Sequence, residues 1–243
     1  MNQRCFTTRG RTAALEHAAK ELIENGWVYQ EDAKIVLLPV PTLDQNGNIK
    51  GGGSPDSLPG DCILIGGNIT GHPAFQKHKY LDLLQNHLYL TENASITAHC
   101  SICIAMENLP VTLQDCPILV AGWGRIGKYL ARLLRLLGAK ITIAARSEAD
   151  RALTAAFGYR TMDITSDTME LSEYRVIFNT VPAMVFPAEK LTSCRHDCLK
   201  IDLASKPGID GPDVIWARGL PNSDAPESSG KLIAKLVRKE LEQ

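Results

Sequence analysis

No run of about 20 apolar residues, the length needed to cross a bilayer, occurs in this chain of 243 residues. The N-terminal "MNQRCFTTRGR" also lacks the apolar core of a secretory signal. These two absences predict a cytoplasmic protein with no membrane partner. Charge of one sign is missing as well: 26 Lys and Arg face 27 Asp and Glu, so nothing advertises nucleic acid as a partner. Internal repeats and low-complexity tracts are absent, which excludes a stacked array. No HExxH and no Ser-His-Asp set stands out. The acid/base histidine of many dehydrogenases is not evident either. His72, His78, His87 and His99 all lie in the first half. His99, expected near a helix start, is the histidine best placed to border a cleft, although a structural role is the simpler reading.

Cysteine is present but without a regular framework. The seven are Cys5, Cys62, Cys100, Cys103, Cys116, Cys194 and Cys198, an odd set that reads as reduced thiols in a cytosolic chain. Two clusters, His99-Cys100-Ser101-Ile102-Cys103 and Cys194-Arg195-His196-Asp197-Cys198, carry soft ligands. Zinc usually takes four such groups in two separated pairs, so structural thiols are favoured and no metal is expected.

The length suits two small domains of roughly 100 residues each. Residues 11–26 place Ala14, Leu15, Ala18 and Leu22 at helical spacing before Gly26. Residues 33–40 and 61–67 read as buried strands, 73–86 as a helix, "HLYLT" as a short strand, and 93–108 as a further helix. Between the strands lies the glycine- and proline-rich stretch 44–61, a surface loop by composition. Strands alternating with helices imply a parallel sheet with crossover helices. From Val111 onward the pattern repeats. Strands are expected at 117–122, 139–145, 175–181, 198–205 and 214–220, and helices after the loop at 122, at 147–157 and at 225–241. The fold class is therefore α/β with two doubly wound parallel-sheet domains, residues 1–110 and 111–243. The second is a Rossmann nucleotide-binding domain.

Gly122-Trp123-Gly124-Arg125-Ile126-Gly127 matches G-x-G-x-x-G between a strand and a helix, the context that gives the motif its force. Gly122 permits the tight turn, Gly124 lets the backbone approach a pyrophosphate, and Gly127 allows close helix–strand packing. Free N–H groups at the helix start then meet the phosphates. Arg125 either contacts phosphate or is a solvated surface arginine. An NAD protein carries Asp or Glu at the end of the second strand, roughly 20 residues on, to grip the ribose 2′-hydroxyl. Here that place falls at Ala145, followed by Arg146 and Ser147. A guanidinium and a hydroxyl suit a 2′-phosphate, so NADP is the expected cofactor. Ser147 also reads as a helix N-cap.

Ligands of doubly wound sheets sit beyond the carboxyl ends of the strands. Asn179, Thr180, Val181 and Pro182 end one such strand and can line a nicotinamide ribose site. Asp202 and Lys206 end another and are candidates to orient and grip an acidic substrate, with His99 as the third candidate catalytic residue. Each has a plainer reading, as a turn residue or a solvated charge.

Four stretches, "GWGRIGKYLARLLRLLGAKITIAARS", "NTVPAMVF", "DLASKPGID" and "GLPNSDAPESSGKLIAK", with "LPVPTLDQNGNI" in the first half, together resemble the dipicolinate synthase A-subunit family. The resemblance implies an NADP-dependent oxidoreductase of the lysine branch. It would oxidise a dihydrodipicolinate-type intermediate to dipicolinate, the spore component, beside a second synthase subunit. By matching position it places Gly122, Gly124, Arg125, Ile126, Gly127, Ala145, Arg146 and Ser147 on NADP. Asn179, Thr180, Pro182, Leu220 and Pro221 would lie near the nicotinamide. Two departures stand out. "RCFTTRGRT" looks like a shortened form of the family's first strand and glycine-bearing turn. Glu227 stands where the family tends to have a base, and an acid there disfavours a dicarboxylate if it faces the site. Two other readings remain: a nucleotide-binding regulatory subunit without turnover, and an NADP dehydrogenase of another small carboxylic acid. Two-domain dehydrogenases of this kind usually associate, so a homo-oligomer is expected.

Overall fold

The computed structural model describes residues 4–242. In the first half the elements are β1 (Cys5–Thr8), α1 (Ala13–Glu24), β2 (Val28–Tyr29), β3 (Ile35–Leu37), β4 (Ile63–Gly66), β5 (Lys79–Asp82) and α2 (His87–Asn108). There follow β6 (Pro117–Ala121), α3 (Arg125–Leu136), β7 (Lys140–Ala145), α4 (Glu148–Ala156), β8 (Arg160–Asp163), β9 (Val176–Asn179) and α5 (Ala188–Leu191). The chain ends with β10 (Leu199–Asp202), β11 (Val214–Trp216), α6 (Leu220–Ser223) and α7 (Pro226–Leu241).

These elements form two compact units. The first runs to Ile96 and takes back the chain from Pro221 onward; the second is Thr97–Leu220. The division differs from the expected boundary at residue 110 with the last helix in the second domain. The reason is the apolar content of α7, which buries Leu232, Ile233, Ala234, Leu236 and Val237 in one cluster with Leu15, Ala18, Leu22 and Phe6. Gly230 makes the helix crossing close: a Cβ there would stand 2.5 Å from His17 Cβ and 2.7 Å from Ala14 O. Each large aliphatic side chain so buried contributes about 1.5–3 kcal/mol, which commits α7 to α1.

The first unit carries a parallel sheet in the order β2-β1-β3-β4-β5, one of the two common doubly wound orders. Residues 4–12 do contain a strand and a glycine turn, since β1 forms and Gly10 has a φ of +91°. The stretch 44–61 is ordered rather than loose. Ile49 is buried and bridges to Leu43 and Gly53, and Arg11 N donates to Lys50 O at 2.8 Å.

Two expectations fail between residues 73 and 91. Instead of a helix over 73–86 there are two short 3-10 turns, Pro73–Phe75 and Leu83–Gln85, around β5. The buried Asp82 carboxylate causes this by accepting from Asn68 N, Ile69 N, Thr70 N and Leu84 N, which ends the strand in a turn. Instead of a strand at "HLYLT", α2 begins there. Asn86 Oδ1 caps it by accepting from Leu88 N and Tyr89 N, both at 3.0 Å, a side-chain device that the apolar alternation of the sequence conceals.

The second unit is a six-stranded parallel sheet in the order β11-β10-β9-β6-β7-β8. Counted within the unit this is 6-5-4-1-2-3, the Rossmann order with its reversal between β6 and β9. Both strands are buried almost throughout. Ligands of such sheets collect beyond that reversal.

Candidate dinucleotide site

A cavity of about 670 Å³ opens at the carboxyl ends of β6, β7 and β9, within the range of small-molecule and cofactor sites. Its floor is the glycine loop, where the three glycines answer three different demands. Gly122 has a φ of +99°, and a Cβ there would stand 2.4 Å from Thr180 Oγ1. At Gly127 a Cβ would stand 2.2 Å from Gly122 O, so only glycine lets α3 lie so near the strand. Gly124 is different. It has ordinary φ, and nothing lies within 4 Å of where its Cβ would be. The protein itself does not need glycine there; the open space is a cradle that a Cβ would fill. Gly124 also opens α3 without a side-chain cap, and the first N–H groups of a helix have no intrahelical carbonyl to meet.

Trp123 lines the same cavity. Its ring meets Tyr159 edge-on at 5.9 Å, Lys128 Nζ lies 5.8 Å from its centroid, and its buried Nε1 has no partner. These features fit a bound dinucleotide: a cradle at Gly124, a donor-rich helix start and an orphaned indole N–H. Arg125 and Ile126 open α3 and do not line the cavity.

The wall above β7 is Ala145, Arg146, Ser147 and Asp150. Ala145 supplies no carboxylate. Ser147 Oγ accepts from Asp150 N at 3.3 Å, so it caps α4 as expected. Arg151 carries no motif signal in the sequence, yet it braces this corner. Its Nη1 donates to Ala145 O at 2.9 Å and Arg146 O at 2.7 Å and pairs with Asp163 at 3.1 Å. The Asp163 carboxyl is held below its usual range, first by hydrogen bonds from Thr165 and then by the charges of Arg151 and Lys190.

The opposite wall is Thr180, Val181, Pro182 and the residues that follow. Asn179 does not face the cavity. Its Nδ2 donates to Asp202 Oδ1 at 2.8 Å and to Val181 O at 3.0 Å, and its Oδ1 accepts from Val181 N at 2.9 Å. Thr180 Oγ1 donates back to Ala121 O at 2.8 Å. Both side chains therefore shape the turn that presents Val181 and Pro182.

Of the three candidate catalytic residues, the structure brings none into this cavity. Asp202 is wholly buried. Beside the Asn179 bond, it accepts from Ala204 N at 3.0 Å, Gly208 N at 2.6 Å and Ile209 N at 3.2 Å, which anchors the loop after β10. Lys206 is exposed on that loop, and His99 is exposed on α2. Leu220 and Pro221 are buried at the start of α6 and do not line the cavity. The cavity residues that sequence reasoning passed over include Asp150, Ile164, Thr165, Met184 and Lys190. Ile164, Thr165 and Lys190 lie in stretches without motif spacing and reach the cavity through the strand order, whereas Asp150 stands in the first turn of α4 just beyond Ala145 and Met184 in the turn after Pro182.

Glu227 lies in the first turn of α7 and pairs with Lys231 at 2.6 Å; it does not line this cavity. Among the described residues no group of three or more His, Cys, Asp or Glu is arranged to hold a metal. The seven cysteines are all thiols, with no disulfide between them. Cys198 and Cys194 share a hydrogen bond that lowers the Cys194 thiol and, with burial, raises that of Cys198. Among the described residues no helix is long and apolar enough to cross a membrane.

No protein-family model matches the sequence. The A subunit of dipicolinate synthase from Bacillus subtilis (strain 168) is 28% identical over 202 residues, covering 76% of this chain and 67% of that protein. The chain is similar in sequence to a dipicolinate synthase A subunit. The crystal structure of the corresponding Bacillus halodurans protein superposes with a TM-score of 0.86 at 23% identity, covering 99% of this chain and 98% of that one. An L-alanine dehydrogenase shares the fold at a TM-score of 0.68 and 14% identity, over 100% of this chain and 82% of its own. The two parallel-sheet α/β domains are thus an architecture that dehydrogenases use.

Proposed function

We propose that the chain is the NADP-binding oxidoreductase component of a dipicolinate-forming synthase, oxidising a dihydrodipicolinate-type intermediate to dipicolinate beside a second subunit. The observation that carries this reading is the cavity at the β6–β9 reversal. It is floored by a glycine cradle and walled by Arg146 and Ser147 where a carboxylate would select NAD. The likeness to a dipicolinate synthase supplies the substrate class.

NADP, when bound, supplies a hydride acceptor. The remaining work falls to the chain. The α3 N-terminus and the Gly124 backbone hold the pyrophosphate, and Arg146 meets the 2′-phosphate as a charge-assisted donor. Thr180, Val181 and Pro182, set by Asn179 and Asp202, form the wall of the nicotinamide half. Lys206, exposed on the loop that Asp202 anchors, is the cation for a substrate carboxylate. Oxidation removes a hydride and a proton and leaves an aromatic ring, so positioning and carboxylate binding can supply most of the catalysis. A homo-oligomer and a cytoplasmic site of action complete the reading.

The full placement of Asp202 and Asn179 in scaffolding favours a second reading, a nucleotide-binding protein without turnover of its own. Purified chain with NADP and freshly generated dihydrodipicolinate, followed by the absorbance of reduced nicotinamide with and without its partner subunit, separates the two. Turnover supports the leading reading. Binding without turnover, even with the partner present, overturns it.

A further inference from the structure

Lys190 occupies the same cavity as Arg146 although it lies 44 residues further along the chain. It belongs to α5, a single turn that begins after Pro187. A chain of contacts ties the Arg146 end of the cavity to Thr165, which lines it together with Lys190. Arg151 donates to Arg146 O and pairs with Asp163, Asp163 accepts from Thr165 Oγ1 at 2.7 Å, and Thr165 lines the cavity with Lys190. The Lys190 charge also reaches Asp163, behind the Thr165 hydrogen bonds and Arg151. Asp163 already has Arg151 as its ion-pair partner. Neither Lys190 nor Arg146 is in an ion pair among the described residues.

The cavity therefore presents two uncommitted cations, on different elements, against one carboxylate, Asp150. A neutral ribose hydroxyl needs no such excess. A phosphomonoester, carrying between one and two negative charges near neutral pH, does. We propose that Lys190 is a second cation for the 2′-phosphate of NADP, closing on it from the α5 side while Arg146 holds it from the end of β7. The proposal rests on the reading of the cavity as an NADP site, and it makes cofactor choice a property of two elements rather than of the β7 turn alone.

The test is calorimetric titration of the full chain with NADP, NAD and 2′,5′-ADP, for the native protein and for Lys190→Gln and Lys190→Arg. The native chain is expected to prefer NADP. Lys190→Gln should weaken NADP and 2′,5′-ADP roughly tenfold or more, the scale of one charge-assisted contact. NAD affinity should stay within about twofold, and Lys190→Arg should retain most of the preference. The unchanged NAD affinity also reports that the variant is folded. A native preference for NADP that survives Lys190→Gln intact overturns the role of Lys190 and leaves the cofactor reading standing. Equal losses for NADP and NAD overturn it too, by placing Lys190 on a part the two share. No native preference overturns the cofactor reading itself.

Discussion

Replacing Asp202 separates scaffolding from catalysis. The carboxylate is fully buried and serves four donors, Asn179 Nδ2 and the N–H groups of Ala204, Gly208 and Ile209. Asp202→Ala leaves all four in a site that solvent does not reach. An unsatisfied buried donor costs about 1–3 kcal/mol, and simple addition would exceed what one substitution usually does. Loop relaxation recovers part, so the expected loss is about 4–5 kcal/mol. In a domain of this size that lowers the midpoint by roughly 10–20 °C. Asp202→Asn keeps one acceptor oxygen but turns an NH2 group toward further N–H donors, and about half that loss is expected. Thermal and urea unfolding followed by circular dichroism measures both, and NADP affinity is read well below the midpoint. A stability loss under about 1 kcal/mol for Asp202→Ala would refute the anchoring role. So would an Asp202→Asn protein of native stability with abolished turnover, which would make the carboxylate catalytic.

Gly124→Ala and Gly127→Ala should part company. The first adds a methyl to open space and leaves stability within about 0.5 kcal/mol, while NADP affinity falls tenfold or more. The second drives a Cβ into Gly122 O and should lower stability by several kcal/mol; denaturation midpoints and titration together report the split. Asp197, held well below the usual carboxylate range by Arg195 and further by Arg175, contributes stability that is present above an unfolded carboxylate pKa of about 3.9 and lost as pH falls toward the folded value. Acid unfolding midpoints should therefore shift to higher pH in Asp197→Asn than in a control exposed-acid variant such as Glu107→Gln. Thiol alkylation read by mass spectrometry should reach the exposed Cys103 and the half-buried Cys194 in folded protein. Cys62, Cys100, Cys116 and Cys198, all buried, should be labelled after denaturant is added.

The second unit was legible because its signals are backbone signals. The glycine spacing, the buried strands and the helix stops each follow from local chemistry; the edge strand β8, polar and partly exposed, was not among the strands expected. The first unit was harder. Asp82 and Asn86 direct the chain through side-chain hydrogen bonds, so 73–91 reads wrongly when apolar spacing alone is followed. The last helix was placed in the wrong unit because nothing local tells which core its apolar face will join; Gly230 against α1 decides it. At the site, the cradle and the Ala145-Arg146-Ser147 wall followed from spacing. Lys190 and Thr165 did not, since they reach the cavity through sheet order. Asp202 and Asn179 were recognised as important, but their direction, inward to the loop rather than outward to a ligand, is a three-dimensional fact.

Whether the cavity selects a 2′-phosphorylated dinucleotide is tested most directly by titrating the native chain with NADP and NAD. Quenching of the Trp123 emission gives a readout inside the site. Saturable NADP binding at least tenfold tighter than NAD is expected, with the preference reduced in Arg146→Gln. NAD binding as tight as NADP, or a preference unmoved by Arg146→Gln, would contradict selection by this cavity.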